Sequence, residues 1–281
     1  MLTANQIKND PIFQFMYIYL YPLIARFYNI EIIGCEHITD TSKSIIIISE
    51  HTSHNYDVMA GLFALYSKLN VPVRGLSHYY SKYLNPLYTN IGVITGTRNN
   101  IETLIDNNEL IALKPGGYEK MAYGSENAYK TKWISKSGNY RCGFARYAYN
   151  HGIPVYPMIG KNLEEMAFSP LVYLLNKLKV TKFYTSLLNL PEPFGSLFYF
   201  MQQLFVCSAC YLLMIPIPVN VTFVVGEPLT NKEGETILEF AQRCEYVLDQ
   251  MNCKINNGYE KKTLNALKDR ISATPEMIKK G

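Results

Sequence analysis

Apolar and polar positions along the chain fall into two alternating textures. Short runs rich in β-branched residues occur at Glu31–Gly34, Ser44–Ser49, Val71–Leu76, Gly92–Thr95, Leu110–Lys114, Pro154–Ile159 and Val219–Gly226. Between them, apolar residues recur at helical spacing over 11–28, 57–69, 99–107, 141–151 and 235–255. The run Ser44-Ile-Ile-Ile-Ile-Ser49 has no polar interruption, as expected of a strand covered on both faces. Strands separated by helical segments predict one α/β domain with a mainly parallel central sheet flanked by helices. In such sheets ligands gather at the carboxyl ends of the strands. The segments after Ser49, Thr95 and Lys114 are therefore the places to look for chemistry.

Two stretches depart from this texture. Residues 11–25, PIFQFMYIYLYPLIA, are apolar and aromatic, with Lys8 and Arg26 outside them. They are too short to cross a bilayer comfortably, and Pro22 lies inside. Either a helix lying in the membrane interface, with Tyr17, Tyr19 and Tyr21 at headgroup level, or a core helix fits them. Later, no Asp, Glu, Lys or Arg occurs between Glu192 and Glu227. Within that window 197–219 is apolar but for Gln202, Gln203 and Ser208, and Pro216 and Pro218 close it. A re-entrant or interface-embedded helix is the expectation, against a buried helix leading into a strand. The chain thus divides into an N-terminal membrane-associating helix, 1–29, and an α/β domain, 30–281, that includes the apolar segment 193–219.

Composition sharpens this picture. Only 18% of the 281 residues are charged, whereas 13% are aromatic, including 23 Tyr. That excludes a disordered chain and suits a surface not wholly meant for water. Mean hydropathy near zero, −0.05, excludes a multi-span transporter. A net charge of +4 without a clustered basic stripe argues against nucleic acid as a partner and suits an anionic surface. Six cysteines are too few for a disulfide scaffold. The one close pair, Cys207 and Cys210, sits in an apolar run without a nearby His, so reduced thiols are expected.

The chemistry-bearing residues follow the strands. After the first apolar run comes Ser49-Glu-His-Thr-Ser-His-Asn-Tyr-Asp57. His51 is placed on a strand-to-helix turn, and Asp57 opens the next helix. The turn is long enough for the carboxylate to fold back onto ring Nδ1–H, leaving Nε2 as a base. Asp57 alternatively reads as a helix N-cap, and His54 as a supporting or surface residue. His51, His54 and Asp57 also form a conceivable metal-ligand set, although the helical His-Glu-x-x-His arrangement is lacking. Gly92-Val-Ile-Thr-Gly-Thr-Arg98 suits an anion held by Arg98 and a helix N-terminus, or is a surface Arg after a turn. Leu113-Lys-Pro-Gly-Gly-Tyr-Glu119 can present backbone N–H groups to a developing oxyanion, or is a plain turn. No Gly-x-Ser-x-Gly elbow, P-loop or Gly-x-Gly-x-x-Gly fingerprint occurs.

Taken in order, these pieces resemble the glycerolipid acyltransferase superfamily. The series is a His-x5-Asp turn, Gly-Thr-Arg, Pro-Gly-Gly and then His151-Gly-Ile-Pro-Val-Tyr-Pro157. The spacing and Pro-Gly-Gly look most like the branch related to diacylglycerol acyltransferase and phytyl ester synthase. Glu126 through Trp133, Arg141-Cys-Gly-Phe-Ala-Arg146, Lys161-Asn-Leu-Glu-Glu-Met166 and Val225-Gly-Glu-Pro-Leu229 add to the likeness, which covers about residues 30–230. The resemblance implies an acyl-CoA-dependent O-acyltransferase. In it His51 is the catalytic base and Asp57 its partner. Thr97, Arg98, Gly116 and Gly117 bind acceptor or donor, and Pro157 shapes the pocket wall. It implies acyl-CoA as co-substrate, no cofactor and no metal, the bilayer and a glycerolipid acceptor as partners, and the cytosolic face of the endoplasmic reticulum or another internal membrane. Pro-Gly-Gly stands where lysophosphatidate-type members carry Glu-Gly, which favours a neutral mono- or diacylglycerol acceptor over a lysophospholipid. A catalytically inactive lipid-binding protein of the same fold and a metal-dependent hydrolase are the competing readings.

Overall fold

The computed structural model describes residues 2–52, 54, 56–77, 87–116, 129–131, 133–134, 138–179, 187, 190–191, 193–198, 200–201, 214–260 and 262–278. Among them a seven-stranded sheet forms the centre, built from β1 (Glu31–Ile33), β2 (Ile45–Ser49), β3 (Arg74–Ser77), β4 (Ile94–Thr95), β5 (Leu110–Leu113), β6 (Val155–Lys161) and β9 (Thr222–Val225). Its order is β1-β9-β6-β2-β5-β3-β4. Strands β6, β2, β5, β3 and β4 are mutually parallel, while β9 runs antiparallel to β6 and parallel to β1. The mainly parallel α/β sheet expected from the sequence is therefore present, and all seven apolar runs contribute a strand to it. A two-residue pair that the pattern does not announce, β7 (Ala167–Phe168) with β8 (Ile215–Pro216), lies apart.

The unbroken isoleucine run explains the centre. In β2 alternate side chains point to opposite faces. Ile45 and Ile47 pack with Ala60, Ala64 and Leu65 of helix α4 (Tyr56–Leu69). Ile46 and Ile48 pack on the other face with Leu104, Phe144, Phe240 and Leu248. Those residues belong to α6 (Arg98–Asp106), α7 (Gly143–His151) and α9 (Ile237–Asn256). All four isoleucines are at most 2% exposed, and each such burial contributes about 2 kcal/mol. A polar residue anywhere in Ile45–Ile48 would face a core, whichever way it pointed.

The helical pattern over 11–28 becomes α2 (Pro11–Phe15), a π-helical turn (Met16–Leu20) and α3 (Tyr21–Phe27), after the short α1 (Ala4–Lys8). One face packs home. Ile7, Phe13 and Met16 are buried with Phe63 and Tyr66 of α4 and with Ile91 and Val93. The opposite face leaves Ile12, Phe15, Ile18, Tyr19 and Leu23 between 40% and 66% exposed. One face thus packs as a core helix does, while the other is apolar and exposed. Tyr17 and Tyr21 pack against Phe63, and Tyr19 alone of the three tyrosines expected at headgroup level is 62% exposed. Helices α5 (Leu87–Asn90), α8 (Pro170–Lys177) and α10 (Thr263–Ile278) carry too weak a pattern to be expected. No helix among the described residues is long and apolar enough to cross a membrane. Most of the apolar segment 197–219, with Cys207 and Cys210, lies outside the described residues.

Candidate active site

A cavity of about 420 Å³ opens at the carboxyl ends of the parallel strands. The ends of β2, β3, β5 and β6 supply Ser49, Ser77, Leu113 and Gly160 to its wall, and the first turns of α4 supply Asp57, Val58 and Gly61. Its apolar lining includes Leu62, Leu65, Leu76, Val93 and Phe223. Its polar lining includes Glu50, His51, Thr52, Asp57, Lys114, Arg141 and Glu164. Strand adjacency brings these groups together. Ile48 of β2 sits beside Leu113 of β5, so both chains leave the sheet side by side, one towards His51 and the other at Lys114.

Asp57 is 4% exposed and stands in the first turn of α4, where the helix dipole favours a negative charge. Its Oδ1 accepts a hydrogen bond from Thr52 Oγ1 at 2.9 Å. Its Oδ2 is bonded by Lys114 Nζ, a side chain only 15% exposed. Burial acts to raise the Asp57 carboxyl, but the Lys114 ammonium leads a set of neighbours that bring it below the usual carboxylate value. The carboxylate is therefore charged at neutral pH. His51 lines the same cavity, but the hydrogen bond expected from its ring to Asp57 is not present among the described residues; Lys114 and Thr52 hold that carboxylate instead.

His54 takes the supporting rather than the surface position of the two expected. It is fully buried, with Nε2 2.8 Å from the Leu163 carbonyl. The backbone N–H of Tyr56 donates to Nδ1 at 3.3 Å, which makes Nδ1 an acceptor and puts the ring proton on Nε2. Both nitrogens are thus committed, and the ring ties the turn after β2 to the loop after β6. That leaves no nitrogen of His54 for a metal, and no group of three or more ligating side chains occurs among the described residues.

The remaining expected residues take different places. Thr97 is the N-cap of α6, with its Oγ1 accepting from Asn100 N at 3.2 Å. Arg98 is exposed at the first position of that helix. Neither lines the cavity, although Gly96 does. Pro157 is buried within β6, its carbonyl accepting from Gly226 N at 2.8 Å, and the wall is made by Met158, Ile159 and Gly160 beyond it. Gly116 is buried just after Lys114, and Gly117 lies outside the described residues.

Several polar groups that spacing did not single out support this wall. Glu50, 8% exposed, accepts from the Trp133 indole at 3.0 Å. The backbone N–H of Trp133 donates to Glu245 of α9 at 2.8 Å. The Tyr129 hydroxyl donates to Glu165, and burial with that neighbouring carboxylate holds Tyr129 well above the ordinary phenol value. Glu165 also accepts from Lys262 N at 2.7 Å, joining the cavity to the base of α10. Lys114 had a signal in the sequence, since it ends an apolar run. Its partner was hidden, because strand order decides which run lies beside which.

No protein-family model matches the chain, and no curated protein matches it significantly. Among solved structures, one match is the crystal structure of the 1-acyl-sn-glycerophosphate (LPA) acyltransferase, PlsC, from Thermotoga maritima. It is 13% identical, with 85% of this chain and 80% of that chain covered and a TM-score of 0.48. At that level of likeness no role passes from its residues to those of this chain.

Proposed function

We propose that the protein is a membrane-associated O-acyltransferase that moves a fatty acyl group from acyl-CoA to the hydroxyl of a glycerolipid, with a neutral mono- or diacylglycerol favoured. The observation that carries this reading is His51 in one cavity with a buried, charged Asp57 and a set of apolar side chains. The order of sequence motifs shared with glycerolipid acyltransferases supports it. In this mechanism the acceptor oxygen attacks the thioester carbonyl while His51 takes the hydroxyl proton. The tetrahedral intermediate collapses with cleavage of the C–S bond, and the imidazolium returns its proton to the departing thiolate. General-base help of this kind is typically worth about 10²–10⁴-fold. Asp57 stabilises the imidazolium through the low-dielectric interior, and the proposed oxyanion donors are backbone N–H groups of the Gly116–Gly117 segment. The reaction needs no metal or cofactor.

Two exposed apolar surfaces support the membrane part of the reading. Ile12, Phe15, Tyr19 and Leu23 recur at helical spacing on one face. Tyr173, Leu174, Phe194 and Leu197 add a second exposed group, each at least 50% exposed. Scattered exposed residues are ordinary, but an apolar stripe along one helical face suits a lipid interface.

Purified protein in nanodiscs, offered labelled long-chain acyl-CoA and a panel of neutral and phosphate-bearing acceptors, tests the reaction. The expected result is a new ester made by the wild type, insensitive to chelators, and lost in a folded His51→Ala variant. A folded His51→Ala variant that still transfers acyl groups near the wild-type rate would end the assignment.

A further inference from the structure

The Asp57 carboxylate has both oxygens engaged, Oδ1 by the Thr52 hydroxyl at 2.9 Å and Oδ2 by the Lys114 ammonium. Lys114 directly follows β5 rather than lying in the turn that carries His51, and it lines the same cavity. A carboxylate left to itself in one cavity with an imidazole would favour the protonated ring and make it slow to give the proton up. We propose that Lys114 is a positioning residue of the His51 site: its ammonium fixes the Asp57 carboxylate and, by occupying Oδ2, limits the hold of that carboxylate on a protonated His51. The consequence for the ring is a proton affinity low enough to receive and release a proton in one cycle. That catalytic consequence rests on the reading of His51 as the base; the electrostatic arrangement does not.

The other titratable groups around the cavity are Glu50, His54, Tyr88, Tyr129, Arg141 and Glu164. Glu50 accepts from Trp133, the Tyr129 hydroxyl donates to Glu165, and both His54 nitrogens are bonded. Those bonds do not involve Lys114, so its substitution leaves them intact and a change in His51 is read against them.

The test is an NMR titration of the histidine rings and aspartate carboxyls in the full chain, with His51 assigned by its loss in His51→Gln. In Lys114→Met the His51 midpoint is expected to rise by about one pH unit, the size of a close charge effect. A raised Asp57 titration in that variant supports the same role, because it shows that the carboxylate has lost the cation that kept it charged. In an Asp57→Asn background the effect of Lys114→Met on His51 should fall to less than half. Unchanged midpoints for both His51 and Asp57 in Lys114→Met overturn the proposal. A His51 shift of full size in the Asp57→Asn background also overturns it, since Lys114 would then act on the ring directly. If Lys114→Met does not fold, Lys114→Gln, which keeps a donor and removes the charge, serves with the same outcomes. The titration needs no turnover, so it can succeed where the acyl-transfer assay fails, and the reverse.

Discussion

Arg74 and Glu109 are 1% and 4% exposed and form an ion pair at the sheet's amino-terminal side, far from solvent. Arg74 also donates to the carbonyls of Leu2 and Gly92, at 2.8 and 3.1 Å, and Glu109 accepts from Ala4 N at 3.2 Å. Arg74 Nε and Nη1 and both Glu109 carboxylate oxygens thus have protein partners, and the pair clasps the start of the chain to β3 and β5. Removing one partner leaves a buried charge uncompensated. Glu109→Ala is expected to lower stability by about 3–5 kcal/mol in urea unfolding. At this same scale the sequence pointed to His51 and Asp57 as candidates, because their chemistry and separation are local properties, and both line the cavity. It could not disclose that Lys114 takes the Asp57 carboxylate, because that bond is decided by β2 and β5 becoming neighbours. Arg98 illustrates the converse. Its motif looks apt for an anion, but it follows β4, the edge strand, three strand spacings or about 14 Å from β2.

Helix α9 shows how much one element states for itself. Thr236 caps it, accepting from Glu239 N at 3.2 Å, while the Glu239 side chain returns a bond to Thr236 N at 2.8 Å. Just before it, Glu235 takes Arg243 in a two-armed ion pair, both contacts at 2.7 Å, and the guanidinium lies over the Phe240 ring. The hydrogen bonds from Arg243 bring the Glu235 carboxyl down from 4.5 to about 2. A carboxyl depressed on folding adds stability above its unfolded value, and the gain is lost as pH falls through the folded value. Glu235→Gln should therefore cost about 1 kcal/mol at neutral pH, and the gap from wild type should close as thermal unfolding is followed down from pH 4.5 towards 2. The five strongly periodic segments all became helices, since an apolar stripe suffices to define each one. The pair β7 and β8 was not readable, because two residues carry no period and their pairing joins positions far apart in sequence.

Over the whole molecule, two cores on opposite faces of one sheet account for the fold, and the alternation within β2 supplies both. The third cluster seats the N-terminal helices on α4, so the exposed stripe of Phe15 and Leu23 is held rigidly against the domain that carries the cavity. Those two side chains are 54% and 66% exposed, and their replacement by Ser should barely alter the melting temperature. Binding to lipid vesicles, measured by flotation, should fall about tenfold or more in the Phe15→Ser, Leu23→Ser variant, from the apolar area lost to the bilayer. The class of fold was readable because strands and helices alternate along the chain. The reversed pair at one side of the sheet was not, because nothing in the pattern of β9 records its direction.

That reversed pair governs the order in which the molecule can be assembled. Strand β1 touches the rest of the sheet only through β9, with Glu31–Ile33 beside Thr222–Val224. During synthesis β1 therefore emerges early and waits, with the edge that will meet β9 open, until nearly two hundred further residues have followed. Meanwhile β6 presents Met158–Lys161 as a second unclosed edge. Open edges of this kind are templates for pairing with other chains. The late arrival of four residues, Thr-Phe-Val-Val, closes both at once. A nascent chain halted before them exposes two adhesive margins, and its fate in the cell is then decided by whatever shields those margins in the interval.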